Sequence, residues 1–139
     1  MRIGKRTGVL VSTATLLLGF GGAAAAQAAP APAPAAALAC STSNATSPRT
    51  ASVDGIYIEL RYSTSSRCAW GRITHADPGD KVWVDRSSNG GTSWDGPLGM
   101  TTVSTGSDTH TPAYNDAGYK MRACAWNDTT GNIRCTGWY

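Results

Sequence analysis

Gly55-Ile-Tyr-Ile-Glu-Leu-Arg-Tyr-Ser63 decides the fold. In an extended chain Ile56, Ile58, Leu60 and Tyr62 fall on one side, and Tyr57, Glu59, Arg61 and Ser63 on the other. That period of two, with one apolar side, predicts an antiparallel strand that buries one face and wets the other. Working outward, further strands are expected at 67–76, 81–86, 93–95 with a continuation near 100–104, 109–114, 119–126 and 133–138. No window carries a helical period. Between the runs stand Asp77-Pro78-Gly79-Asp80, Asn89-Gly90-Gly91, Asn115-Asp116-Ala117-Gly118 and Thr130-Gly131-Asn132, which are turn sequences. Short strands at this spacing predict an all-β domain, a small antiparallel β-sandwich or barrel. Ser87-Ser88-Asn89-Gly90-Gly91-Thr92-Ser93-Trp94 resembles the Asp-box, a hairpin clasp of secreted β proteins that is not catalytic.

The chain ahead of this region is of another kind. Arg2, Lys5 and Arg6 precede an apolar run from Val9 to Phe20, and small residues surround Ala26-Gln27-Ala28. This is the build of a cleaved secretory signal over residues 1–28. Its apolar run is shorter than the roughly 20 residues a membrane span requires, so no membrane association is expected after cleavage. Residues 29–39, Ala-Pro-Ala-Pro-Ala-Pro-Ala-Ala-Ala-Leu-Ala, form a Pro/Ala linker, extended because proline fixes φ and cannot donate a backbone hydrogen bond. Residues 40–139 are then the secreted, extracellular β domain.

Charge narrows the function. The 12 basic side chains exceed the 9 acidic ones only through Arg2, Lys5 and Arg6. Cleavage removes that excess and leaves a chain without net formal charge. Nucleic-acid binders carry a basic surplus to neutralise phosphates, so no nucleic-acid partner is expected.

Cys40, Cys68, Cys124 and Cys135 are an even set in an exported chain, which reads as two disulfides. No two lie at Cys-x-x-Cys spacing, so no zinc site or other metal is expected. Cys40–Cys68 with Cys124–Cys135 is the preferred pairing. Tyr119, Met121, Ala123 and Ala125 make the more apolar face of their strand, which leaves Cys124 on the other face, suited to a bridge across the last hairpin. An inter-sheet Cys68–Cys124 bridge, as in immunoglobulin domains, is the alternative.

Glu59-Leu60-Arg61-Tyr62-Ser63, Cys68-Ala69-Trp70-Gly71-Arg72, Arg122-Ala123-Cys124 and the ending Cys135-Thr136-Gly137-Trp138-Tyr139 resemble the YjfA-like family of small, secreted, functionally uncharacterised bacterial proteins. The resemblance implies export and a compact β domain, and implies no reaction.

Catalytic chemistry is thinly represented. The folded part holds one glutamate, Glu59, and two histidines, His75 and His110. A glycosidase needs a positioned pair of carboxylates, and a serine hydrolase needs a nucleophile elbow and an oxyanion pocket. Neither pattern is present, so no catalytic residue, no cofactor and no enzyme activity are assigned; a small hydrolase using His75 or His110 stays as an alternative. The turn aspartates Asp77, Asp80, Asp85, Asp95 and Asp116 lack calcium-loop spacing, and aspartate in turns commonly caps its own backbone.

The aromatic inventory is richer. All five tryptophans lie in the β domain. Trp83 alternates with Val82 and Val84, and Trp126 shares a face with Lys120 and Arg122. With the valines in the core, both indoles face outward. Trp83, Trp126, Arg122, Arg61 and Tyr57 are therefore the candidate binding residues of a non-enzymatic domain that docks a cell-wall polysaccharide, another extracellular polymer or an extracellular protein. A secreted inhibitor or toxin-like effector is the other class such stapled domains supply.

Overall fold

The computed structural model describes residues 39–139. The signal peptide expected at 1–28 and the expected linker up to residue 38 lie outside the described residues. Nine strands form the domain: β1 Ala45–Val53, β2 Ile56–Ser63, β3 Cys68–Thr74, β4 Lys81–Ser87, β5 Asp95–Thr102, β6 Thr109–His110, β7 Tyr114–Asn115, β8 Lys120–Trp126 and β9 Ile133–Cys135. Among the described residues there is no helix, and hence none long and apolar enough to cross a membrane. One antiparallel sheet runs β1-β2-β3-β6, with β7 also on β3, and the other runs β5-β4-β8-β9. The fold is an all-β, disulfide-stapled antiparallel sandwich.

The quoted strand follows its alternation as far as Arg61, but Ser63, expected on the wet face, is fully buried, its Oγ donating to the Ser43 carbonyl at 2.8 Å. Ile56, Ile58 and Leu60 are buried, while Tyr57 is exposed. They pack with Ala69 and Ile73 of β3 against Val82 and Val84 of β4 and Met121, Ala123 and Ala125 of β8. Each fully buried branched side chain contributes about 1.5–3 kcal/mol, before chain entropy is counted against it. Gly71 lets the two layers meet, because a Cβ there would lie 3.0 Å from Val82 Cγ2 and 3.3 Å from Ala123 Cβ.

β1 was not expected from the sequence. It is an edge strand, mostly polar, with Val53 buried in the core at its end and Pro48 at a break in register between Thr46 and Arg49. Proline cannot donate to a ladder, and an edge or bulge is where a sheet tolerates it. The turn into β2 is Asp54-Gly55, both with positive φ (49° and 90°), the geometry of a two-residue hairpin. Asp54 Oδ2 accepts hydrogen bonds from Thr130 Oγ1 (2.6 Å) and Asn132 Nδ2 (3.0 Å), which ties this turn to the β8–β9 turn of the other sheet. Arg49 adds a second tie, donating to the Trp138 carbonyl at 3.2 Å and lying over the Tyr139 ring.

Two disulfides, Cys40–Cys68 and Cys124–Cys135, complete the domain, as the preferred pairing expects. The second joins residues that stand directly opposite on β8 and β9. The expected strand at 93–95 and near 100–104 is one strand, β5, and the strand expected over 133–138 stops at Cys135. Beyond it Thr136 Oγ1, not a backbone carbonyl, accepts the Ala123 N–H at 3.1 Å, and the chain then re-pairs through Tyr139 with Met121.

Candidate functional site

The outer face of the β5-β4-β8-β9 sheet is built in rungs, because residues opposite each other on antiparallel strands share a face. The first rung is Lys81, Trp126 and Ile133, and the second is Trp83 with the Cys124–Cys135 bridge. The third is Asp85 opposite Arg122. Rungs stand about 7 Å apart along a strand, two residues at the usual rise.

Lys81, Trp83, Met100, Trp126 and Ile133 line an open groove of about 300 Å³. Met100 and Ile133 are 48% and 60% exposed, unusually open for large apolar side chains. Lys81 Nζ lies 3.9 Å from the centre of the Trp126 ring, a cation–π contact. Lys81 takes part in none of the three ion pairs among the described residues. The groove therefore offers half-buried Trp83 and Trp126 beside exposed Met100 and Ile133, with the Lys81 ammonium, which no carboxylate of the described residues pairs, over the Trp126 ring.

The third rung is rigid. Arg122 Nε meets Asp85 Oδ2 at 2.9 Å, and Asp85 is buried. The Arg122 guanidinium also lies 4.4 Å from the Trp94 ring centre and 4.6 Å from that of Trp138. One cation thus holds two indoles that come from a hairpin loop and from the C-terminal tail. The loop is itself clasped. Ser87 Oγ accepts the Gly91 N–H at 2.8 Å, Asn89 Oδ1 accepts the Ser93 N–H at 2.9 Å, and Asn89 Nδ2 donates to Ser93 Oγ at 2.8 Å. Asn89 Oδ1 accepts as an aspartate oxygen would, while its Nδ2 adds a donor that aspartate lacks.

The sequence-selected residues divide between the two sheets. Trp83, Trp126 and Arg122 share the face just described. Arg61 and Tyr57 stand on the outer face of β2, on the opposite side of the sandwich. There Arg61 donates to Ser47 Oγ at 2.8 Å, and Glu59 lies 3.6 Å from Arg61 and 3.7 Å from Arg72. Arg61 is engaged in a network internal to its own sheet. Sequence reasoning missed Met100, Ile133, Trp94 and Trp138, which lie where the alternation is broken by bulges or loops.

His75 and His110 sit apart from this face, and no carboxylate of the described residues lies within ion-pair distance of either. His110 Nδ1 contacts the Thr111 carbonyl at 2.9 Å. The Asp80 carboxylate, close to His75 in sequence, accepts the backbone N–H groups of Asp77 (2.7 Å) and Asp128 (2.9 Å) and so caps two turns. Asp85, Cys124 and Cys135 gather potential metal-ligand atoms, but both sulfurs are spent in a disulfide and offer no thiolate.

A family model described as "Protein of unknown function (DUF2690)" matches residues 30–124. The chain belongs to this family. The match to DUF2690 spans the linker, the Cys40–Cys68 bridge and strands β1 to β8 as far as Cys124, and stops before Trp126, β9 and the C-terminal tail. Nothing links this DUF2690 domain to the YjfA-like family specifically. Neither the curated proteins nor the solved structures gave a match.

Proposed function

We propose that this is an exported, non-catalytic binding domain whose Trp83–Trp126 groove docks an acidic cell-wall glycan of the peptidoglycan type. The single observation behind the reading is that Trp83 and Trp126, chosen from alternation alone, line one open groove together with Lys81, whose ammonium lies over the Trp126 ring. Indole faces stack on the apolar faces of sugar rings, and the uncompensated ammonium suits the carboxylates such a polymer carries. Export is part of the reading. It draws on the signal-like residues 1–28 and on two disulfides of the kind that persist in oxidising compartments.

The test is depletion of the purified protein from solution by insoluble peptidoglycan, chitin and cellulose. Peptidoglycan is expected to remove the wild type and to leave the Trp83→Ala/Trp126→Ala double variant in solution. Equal removal of both proteins, or removal of neither, contradicts the proposal. Binding abolished instead by a soluble extracellular protein would transfer the groove to a protein partner.

A further inference from the structure

A second pocket, of about 280 Å³, lies beside the β4–β5 hairpin and is lined by Arg86, Ser88, Ser93, Trp94 and Asp95. Its chemistry differs from that of the Trp83–Trp126 groove, since four of its five lining residues are polar or charged. We infer that this pocket is a carbohydrate subsite in which a sugar ring stacks on Trp94 and is hydrogen-bonded by Arg86, Asp95 and the two serines.

Three observations converge. First, Trp94 is 50% exposed, although Arg122 lies 4.4 Å from its ring centre and Trp138 sits 6.0 Å away. Half of a large indole is open to solvent while its position is fixed, which is how a stacking platform avoids losing freedom on binding. Second, Arg86 and Asp95 stand opposite each other on β4 and β5, yet they form none of the ion pairs among the described residues. Arg86 instead places its guanidinium 4.4 Å from the Tyr119 ring centre, and its Nε is buried without a hydrogen-bond partner. An arginine that spends no hydrogen bond on the protein leaves its terminal N–H groups for a ligand oxygen. Third, the remaining groups supply the complement. The Asp95 carboxylate is an acceptor for sugar hydroxyls, and Ser93 Oγ, which accepts from Asn89, keeps its own proton to donate. The Asn89 clasp holds Ser93 and Trp94 in place, so the pocket is preformed.

This subsite shares no residue with the Trp83–Trp126 groove and stands or falls separately from it. The test is a titration of the purified, disulfide-intact protein with chitotetraose, cellotetraose and a soluble peptidoglycan disaccharide, read by the indole N–H signals in NMR. A Trp94→Phe variant assigns the Trp94 signal. The expected result is a saturable shift of that signal with at least one sugar. Asp95→Asn and Ser88→Ala are expected to weaken binding about tenfold, the loss of one hydrogen bond to a charged or hydroxyl partner. Trp83→Ala/Trp126→Ala is expected to leave the shift unchanged. Circular dichroism confirms that each variant is folded, and Ser88→Ala, on the exposed turn, serves if Asp95→Asn is not. A Trp94 signal unmoved by all three sugars, or moved equally in wild type and in the Asp95 and Ser88 variants, overturns the inference.

Discussion

Asp85 and Arg122 stand directly opposite on β4 and β8, and Oδ2 and Nε meet at 2.9 Å beneath two indoles. The pair fixes the aromatic surface from below. Removing the arginine leaves a buried carboxylate without its counter-charge, and removing the aspartate frees the cation on which Trp94 and Trp138 rest. Either Asp85→Ala or Arg122→Ala is expected to cost about 3 kcal/mol in urea unfolding. The double variant is expected to cost clearly less than the sum, since each single change already breaks the same pair. Additive costs would show that the two side chains act independently.

Gly91 is where backbone conformation and the tail meet. Its φ is +97°, and a Cβ there would come within 2.5 Å of Trp138 Nε1. Gly91→Ala is expected to destabilise the domain by about 1–3 kcal/mol through left-handed strain and displacement of the indole. Tryptophan fluorescence should shift to the red in the folded variant as Trp138 leaves Arg122. A spectrum identical to wild type would mean that the tail absorbs the methyl group elsewhere.

The two disulfides close loops of different length, 28 and 11 residues apart. If they act mainly by restricting the unfolded chain, Cys40→Ala/Cys68→Ala costs about 4 kcal/mol and Cys124→Ala/Cys135→Ala about 3. Reduction of both removes a stabilisation comparable to the whole of a marginal domain's, about 5–15 kcal/mol, and should shift the protein strongly toward unfolding. Urea midpoints for the two paired variants check the order, and near-UV circular dichroism under reductant checks the sum.

Acid titration separates two carboxyls. Burial raises the Asp116 pKa against the opposing pull of Arg67 and Lys120. The folded chain thus holds this proton to higher pH than the unfolded chain, so the Asp116 contribution to stability falls as pH rises from the usual carboxylate range through the raised value. Asp54 runs the other way. Hydrogen bonds from Thr130 and Asn132 lower its pKa, so its contribution is present above the usual range and is lost as pH falls through the depressed value. Asp116→Asn should remove the decline with rising pH, and Asp54→Asn should lessen the loss at the acid end. Urea midpoints from acid to neutral pH measure both, and curves unchanged in shape would refute the assignments.

Alternation made most of the sandwich legible in the sequence. Ile56, Ile58 and Leu60 face the core, as do Val82 and Val84, because one buried face per sheet imposes that period. β1 was hidden because Ala45–Val53 is mostly polar, holds Pro48 and slips register, all of which an edge strand tolerates. Asp54-Gly55 immediately before an alternating run was the available signal for it, since that dipeptide favours the two-residue hairpin seen here.

The candidate face was half legible for a related reason. Period two tells which side of its own strand a residue occupies, and so picked out Trp83 and Trp126. It does not tell which sheet a strand joins, and so it grouped Arg61 and Tyr57 with residues on the far side of the sandwich. Met100 and Ile133 come from strands whose registers are interrupted or very short, and Trp94 and Trp138 from segments outside the ladders. Only tertiary pairing brings them to the same surface.

Tyr57, on the outer face of the other sheet, is an internal control for binding at the Trp83–Trp126 groove. Hydroxyl-radical footprinting of the protein with and without insoluble peptidoglycan would report oxidation at Trp83, Trp126 and Met100 on one face and at Tyr57 on the other. Protection of the first three on binding, with Tyr57 unchanged, is the expected result. Protection of Tyr57 alone, or bound protein whose Trp83 and Trp126 oxidise as readily as when free, would contradict the assignment of this face.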